Sequence, residues 1–290
     1  MPRLLASLLA ALVSSTALAG EPAAPPSAAD LTGARSLSLG AGIGITGGNE
    51  GMFTNPGTLA ARRRYAMEAQ YLDDRLDGAR RWQWAQGSVV DSETSPVTGG
   101  FAYARIFAGE ATGSLYHLAM ASPVSGGLYA GVTGKYLSID SATGRKTRAV
   151  TVDAGLYWQA SQLVGLGVAG YNLVPIGNRQ DAAPGMGAGF SVGDGRRFLL
   201  AGDWRRDFER AGKSADAWAA GAEVMLLDAL PLRAGWQRDE IRRGSFWSAG
   251  LGFVAAGAGV AVDLAYRQGI EAPRDRTAMA ALKIFIATPQ

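Results

Sequence analysis

From residue 64 onward the chain repeats one pattern about fourteen times: short segments in which apolar residues alternate with polar or small ones, the period of a β-strand rather than a helix. The segment ending at Arg267 is the clearest example. Val260, Val262, Leu264 and Tyr266 share one face, and Ala261, Asp263, Ala265 and Arg267 share the other. The alternation predicts strands over 64–73, 80–91, 97–108, 111–121, 126–140, 147–160, 162–172, 184–193, 196–206, 215–226, 230–239, 244–255, 257–267 and 276–286. Only the second segment resists a single face, because Trp82, Trp84, Val89 and Val90 fall on both. An apolar row on one side of strand after strand, with charges on the other, predicts a closed antiparallel up-and-down barrel with a lipid-facing exterior and a polar interior.

The links between segments differ. Asp74 to Ala79, Ser141 to Lys146, Leu173 to Ala183, Asp207 to Ser214, Glu240 to Arg243 and Gly269 to Asp275 are mostly longer and charged, whereas Ser161, Gly193 to Gly195, Leu227 to Ala229 and Ala256 are short. That asymmetry predicts outward loops and inward turns, with both termini on the inner side of the membrane. Aromatic residues near strand ends, Tyr65, Tyr71, Trp82, Trp158, Trp204, Trp236, Trp247 and Tyr266, are expected to form interfacial girdles.

The first 63 residues carry no such alternation. Residues 1–19 hold one arginine, the apolar run Leu4 to Val13 and the small-residue site Ala17-Leu18-Ala19, which is the pattern of a signal peptide cleaved before Gly20. Residues 20–30 read as a disordered Ala/Pro-rich spacer. Residues 31–63 are glycine-rich and punctuated by Asn55-Pro56-Gly57, a compact irregular segment suited to plug the lumen of a barrel formed by 64–290.

Composition narrows the chemistry. Hydrophobic residues make up 48% and charged residues 18%, so the chain folds, and no internal apolar run is long enough for a spanning helix. Forty glycines are about twice the usual share and demand curvature, close packing or lumen space. The net charge of +3 is spread with mixed signs, which excludes a nucleic-acid stripe. With no cysteine and one histidine, His117, in a strand, no catalytic set is legible; no metal, no cofactor and no enzymatic activity are expected. Gly40 to Gly44 lacks the Lys-Ser/Thr of a phosphate loop.

Gly33-Ala34-Arg35-Ser36-Leu37-Ser38-Leu39-Gly40 followed by Asn55-Pro56-Gly57-Thr58-Leu59-Ala60 resembles the opening of FadL-type and PorV-type outer-membrane proteins. Leu232 to Trp236, Ser248 to Phe253 and Asp263 to Tyr266 are similar to the closing hairpins of that superfamily. The resemblance implies a fourteen-stranded barrel in the bacterial outer membrane, with residues 31–63 folded inward as a hatch and Asn55, Pro56 and Gly57 as its motif. Gly57 replaces the family's alanine, the outward links are short, and the last residues lack a terminal aromatic, leaving Phe285 nearest.

The expected function is diffusion of a hydrophobic small molecule through a plugged lumen, with Leu37, Leu39, Ile43, Ile45 and Phe53 as ligand contacts. The alternative is a structural or secretion-accessory barrel bound to a secretion or surface protein. Expected partners otherwise are outer-membrane lipid and the barrel-assembly machinery. Glu68, Lys135, Asp153, Asp203, Arg205, Glu223, Arg233, Asp263, Arg267 and Lys283 are expected to face the lumen and pair there.

Overall fold

The computed structural model describes residues 31–286 except 77–79, 109–110, 142–143, 178–180, 196 and 211–212. The signal peptide and spacer expected over residues 1–30 lie outside the described residues.

Fourteen strands close into one antiparallel barrel in which each strand pairs with its sequence neighbours and the first pairs with the last. They are β1 (Tyr65–Leu76), β2 (Arg80–Asp91), β3 (Thr98–Ala108), β4 (Ala111–Ser125), β5 (Leu128–Ser141), β6 (Lys146–Gln159), β7 (Val164–Tyr171), β8 (Gly185–Val192), β9 (Phe198–Arg210), β10 (Lys213–Leu226), β11 (Leu230–Asp239), β12 (Gly244–Ala255), β13 (Val260–Gly269) and β14 (Arg276–Ile286). The seam runs in continuous register from Tyr65 opposite Ile286 to Arg75 opposite Arg276, so no strand edge is left open.

Side chains obey the alternation. Leu264, Val262, Leu282, Val132 and Leu118 are exposed on the outside, and Asp263, Ala265, Lys283, Thr133 and His117 are buried inside. Exterior aromatics stack in runs, Tyr103 on Tyr116 on Tyr136, Trp204 on Trp218, and Trp247 on Tyr266. An apolar band with aromatic clusters is the surface a hydrocarbon solvent requires.

Two expectations change. At the upper end, where odd strands finish, several links are shorter than their charge suggests because the strands run on through them. Cross-strand pairs stand at the base of these extensions: Arg81 with Asp73 at 2.7 Å, Arg148 with Asp140 at 3.0 Å and Arg206 with Asp216 at 2.5 Å. Asp207, expected in a link, therefore lies within β9. Charge in these stretches therefore does not mark irregular backbone: Asp74 and Asp207 are buried strand residues.

The interior is also not uniformly polar. Along β2 to β5 it presents Trp84, Val90, Ala102, Ala104, Ile106, Leu115, Ala119, Leu137 and Ile139, all buried. This explains the mixed reading of the second segment: Trp82, Trp84 and Val90 turn inward and Val89 outward. Trp82 is consequently not part of the exterior girdle.

Against that apolar wall packs the N-terminal segment, with two short helices, α1 (Ala34–Leu39) and α2 (Gly51–Thr54), and a 3-10 turn at Pro56–Ala61. Leu31, Leu37, Met52, Phe53 and Leu59 join Trp84, Ile106, Leu115 and Leu137 in one buried cluster. On the opposite side the segment's backbone approaches the wall so closely that only glycine fits: a Cβ at Gly221 or Gly235 would collide with the Leu39 carbonyl. Much of the glycine excess is thus lumen space for this segment.

Because Leu264 sits mid-strand on the exterior, Leu264→Arg is expected to destabilise the barrel by about 2–4 kcal/mol relative to a conservative apolar change, depending on bilayer depth. Urea unfolding in lipid vesicles, with Leu264→Ala as reference, measures this.

Candidate functional site

The N-terminal segment is fixed to the inner wall by polar contacts from β2, β6, β8, β9, β10 and β12. Asn55 is fully buried: its amide nitrogen donates to the carbonyls of Ile43 and Leu156, both at 2.9 Å, and its oxygen accepts from Gly57 N at 3.0 Å. One side chain thereby joins the 3-10 turn, the Gly42–Gly44 bend and β6. Pro56 starts the turn, where a missing N–H costs nothing. A Cβ at Gly155 on β6 would overlap the Asn55 oxygen, so the motif and its seat are matched by shape.

Further round, Asp203 on β9 accepts from Gly42 N and Ile43 N, at 2.5 and 2.8 Å. Ser191 on β8 donates to Gly44 O at 2.7 Å, and Ser248 on β12 to Ser38 O at 2.9 Å. Asn49 on the segment donates to Ser88 Oγ on β2 at 3.1 Å. These bonds satisfy backbone groups that no regular structure would pair.

The strongest tie is ionic. Arg35 of α1 meets Glu223 at 2.6 Å, and Glu223 also meets Arg233 at 2.5 Å. Arg233 continues to Asp263 at 2.5 Å, Asp263 to Lys283 at 3.0 Å, and Lys283 to Glu68 at 3.4 Å. Burial alone would lower the Arg35 pKa, but Glu223, aided by Glu50 and Asp263, more than offsets this and raises it, so the guanidinium stays charged. Elsewhere Lys135 pairs with Asp153 at 2.6 Å and donates to Asn172, while Arg205 pairs with Asp207 at 2.9 Å. All ten charged residues singled out from the sequence face inward. Arg35, Asp74, Asp207 and Arg242 were not singled out, because their positions in helix, strand end or link carry no inward signal.

Above the segment, in the upper half of the lumen, lies a cavity of about 160 Å³. Leu37, Ile43 and Phe53 contribute to its floor and Leu72, Trp82, Trp84, Ile106 and Leu115 to its apolar wall, with Tyr171, Ala217 and Ala219 across from them. Leu39 and Ile45 lie elsewhere, packed with Ala41, Leu199 and Ala201. His117 is buried edge-on against Phe53, ring centroids 5.0 Å apart, as a packing residue. Trp82, Trp84, Ile106 and Leu115 could not be assigned to the cavity from the sequence, since along β2 to β4 apolar residues occupy both faces and the alternation loses its contrast there.

The link between β11 and β12 reaches over the cavity. Arg242 grips Asp74 on β1 through both carboxylate oxygens, at 3.3 and 3.0 Å, and Ile241 and Arg242 line the cavity from above. Arg267 approaches the same carboxylate at 3.9 Å. The link between β7 and β8 folds inward, with Ile176, Ala182 and Ala183 buried. Asn172 begins it in the left-handed region, φ 51°, held by Asp153 and Ala183.

No protein-family model matches this chain, and no curated protein matches its sequence. Solved structures do share its shape. The CymD monoaromatic hydrocarbon channel aligns at TM-score 0.63 with 14% identity, over 90% of this chain and 98% of that one. The Ralstonia pickettii toluene transporter TbuX aligns at 0.65 with 13% identity, over 89% and 98%. A Pseudomonas aeruginosa FadL homologue aligns at 0.60 with 12% identity, over 91% and 98%. The chain therefore has the fold of the FadL-type outer-membrane barrels, in agreement with the motif resemblance.

Asn55→Ala leaves Gly57 N and the Ile43 and Leu156 carbonyls unpaired, each buried loss costing about 1–3 kcal/mol. The expected result is a barrel that still assembles but whose segment loosens, seen as faster tryptic cleavage at Arg35, which Glu223 holds in the seated segment.

Proposed function

We propose that this protein resides in the bacterial outer membrane and lets a small hydrophobic solute cross it by diffusion, without catalysis or a cofactor, using residues 31–63 as a hatch. The observation that carries this reading is the cavity: a space of about 160 Å³ in the lumen, with Phe53, Leu72, Trp82, Trp84, Ile106 and Leu115 as its apolar wall and Asp74, Asp203, Arg205 and Arg242 among its polar lining. An apolar cavity of about 150 Å³ accommodates a benzene molecule, so one aromatic ring fits and a long acyl chain does not while the segment stays seated. The names of the similar structures, a monoaromatic hydrocarbon channel and a toluene transporter, support the same size class.

Passage beyond the cavity requires the segment to shift. Its ties to the wall are a limited set of local contacts: neutral hydrogen bonds from Ser191, Ser248 and Asn55, each worth about 1 kcal/mol net against water, and the stronger charged contacts of Asp203 and of Arg35 with Glu223. Leu37, Ile43 and Phe53 are the segment's ligand contacts in this reading; Leu39 and Ile45 keep a packing role. The accessory-barrel alternative calls for a stoichiometric protein partner, and a barrel that only docks another protein has no use for a cavity with an apolar wall in its lumen.

The test is saturable binding of toluene to the purified barrel, read by tryptophan fluorescence, and toluene entry into liposomes. Ala217→Trp, which fills the cavity from β10, is expected to abolish both while leaving the heat-modifiable folded band intact. Wild-type protein that neither binds nor passes toluene would refute the proposal.

A further inference from the structure

Resting on the uptake reading above, we infer that the preferred solute is an uncharged single-ring compound bearing a hydrogen-bonding group, such as a phenol, and that Gln70 and Gln86 receive that group. Gln70 on β1 stands directly opposite Gln86 on β2, and the next inward pair above them is Leu72 opposite Trp84. Leu72 and Trp84 belong to the cavity wall. Two residues along a strand is about 7 Å, so the glutamine pair forms the step immediately beneath the apolar wall.

Both glutamines are 4% exposed, and all four of their side-chain nitrogen and oxygen atoms are buried without a hydrogen-bond partner. Their neighbours in the same inner row are Ala281 on β14 and Ala104 on β3, which offer no polar side-chain atom. Buried carboxamides left unpaired cost folding free energy, and a functional demand is one way such a pair is retained. The row does not line the cavity while the segment is seated; a ring resting on Leu72, Trp84 and Phe53 lies one step above it, and its hydroxyl meets the glutamines as the segment shifts for passage.

The chemistry of the row selects the group. A carboxamide both donates and accepts, which matches a hydroxyl. A hydrocarbon gives these atoms nothing. An anion is disfavoured because Glu68 lies one step below Gln70 and Asp74 two steps above on the same inner face of β1. The cations nearby are engaged: Lys283 between Glu68 and Asp263, and Arg242 and Arg267 on Asp74.

Titration of the purified full-length barrel with toluene, 4-methylphenol and 4-methylbenzoate, followed by tryptophan fluorescence, tests this. The expected order places 4-methylphenol about tenfold tighter than toluene, with 4-methylbenzoate weakest. Gln70→Met and Gln86→Met should each bring 4-methylphenol down to the level of toluene measured on the same variant. Toluene binding as tightly as 4-methylphenol to the wild type overturns this inference and leaves hydrophobic uptake standing. Tightest binding of 4-methylbenzoate overturns it on charge. Failure of all three to bind overturns it together with the uptake reading. If neither glutamine variant folds, the wild-type order alone decides.

Discussion

The structure depends on one chain of alternating buried charges. Arg35, Glu223, Arg233, Asp263, Lys283 and Glu68 follow one another within ion-pair distance, three cations against three anions. It starts on the N-terminal segment and ends at the seam, where Glu68 and Lys283 are direct register partners on β1 and β14. Between Arg233 and Asp263 it passes over β12 at Gly250 and Gly252, where a side chain would obstruct it: a Cβ at Gly252 would strike the Asp263 carboxylate. Each of these ions is costly to bury alone and tolerable only with its partners. Closure of the barrel and seating of the segment are therefore coupled through the same six side chains.

The lumen divides into halves that do different things. From β8 to β14, and at the start of β1, charges and hydroxyls hold the segment by polar contacts that favour one position. From β2 to β5 an apolar wall buries Leu31, Leu37, Met52, Phe53 and Leu59, a non-directional interaction that permits sliding. The cavity forms where the two halves fail to meet above the segment. Its location follows from the segment's short side chains at Gly40, Ala41 and Gly42, which cannot span the gap to Trp82 and Trp84.

The link between β11 and β12 gives the cavity its roof. Arg242 crosses the mouth to Asp74 on β1, and Asp239 accepts from Ile241 N and Arg242 N to hold the link in that direction. A salt bridge over an opening is weaker than a covalent strap and stronger than open solvent, since Asp74 is only 1% exposed. The roof is thus held by local side-chain contacts to Asp74 rather than by strand pairing.

Strand number, strand positions and the exterior face were legible in the sequence, because a two-residue period and a hydrocarbon solvent leave few alternatives, as β11, β12 and β14 show by matching the expected spans. The Asn55-Pro56-Gly57 signature and the glycine excess pointed to a segment needing close approach. Which charges pair, and with whom, was not legible: Glu223 and Arg35 lie 188 residues apart in the chain. Nor was the inward turn of Trp82, Trp84, Ile106 and Leu115, since along β2 to β4 apolar residues occupy both faces and the alternation loses its contrast there. The sequence by itself determined a fourteen-stranded barrel and an inner segment; only the tertiary structure decided where apolar side chains gather inside it, because a cavity is what remains after distant residues have packed.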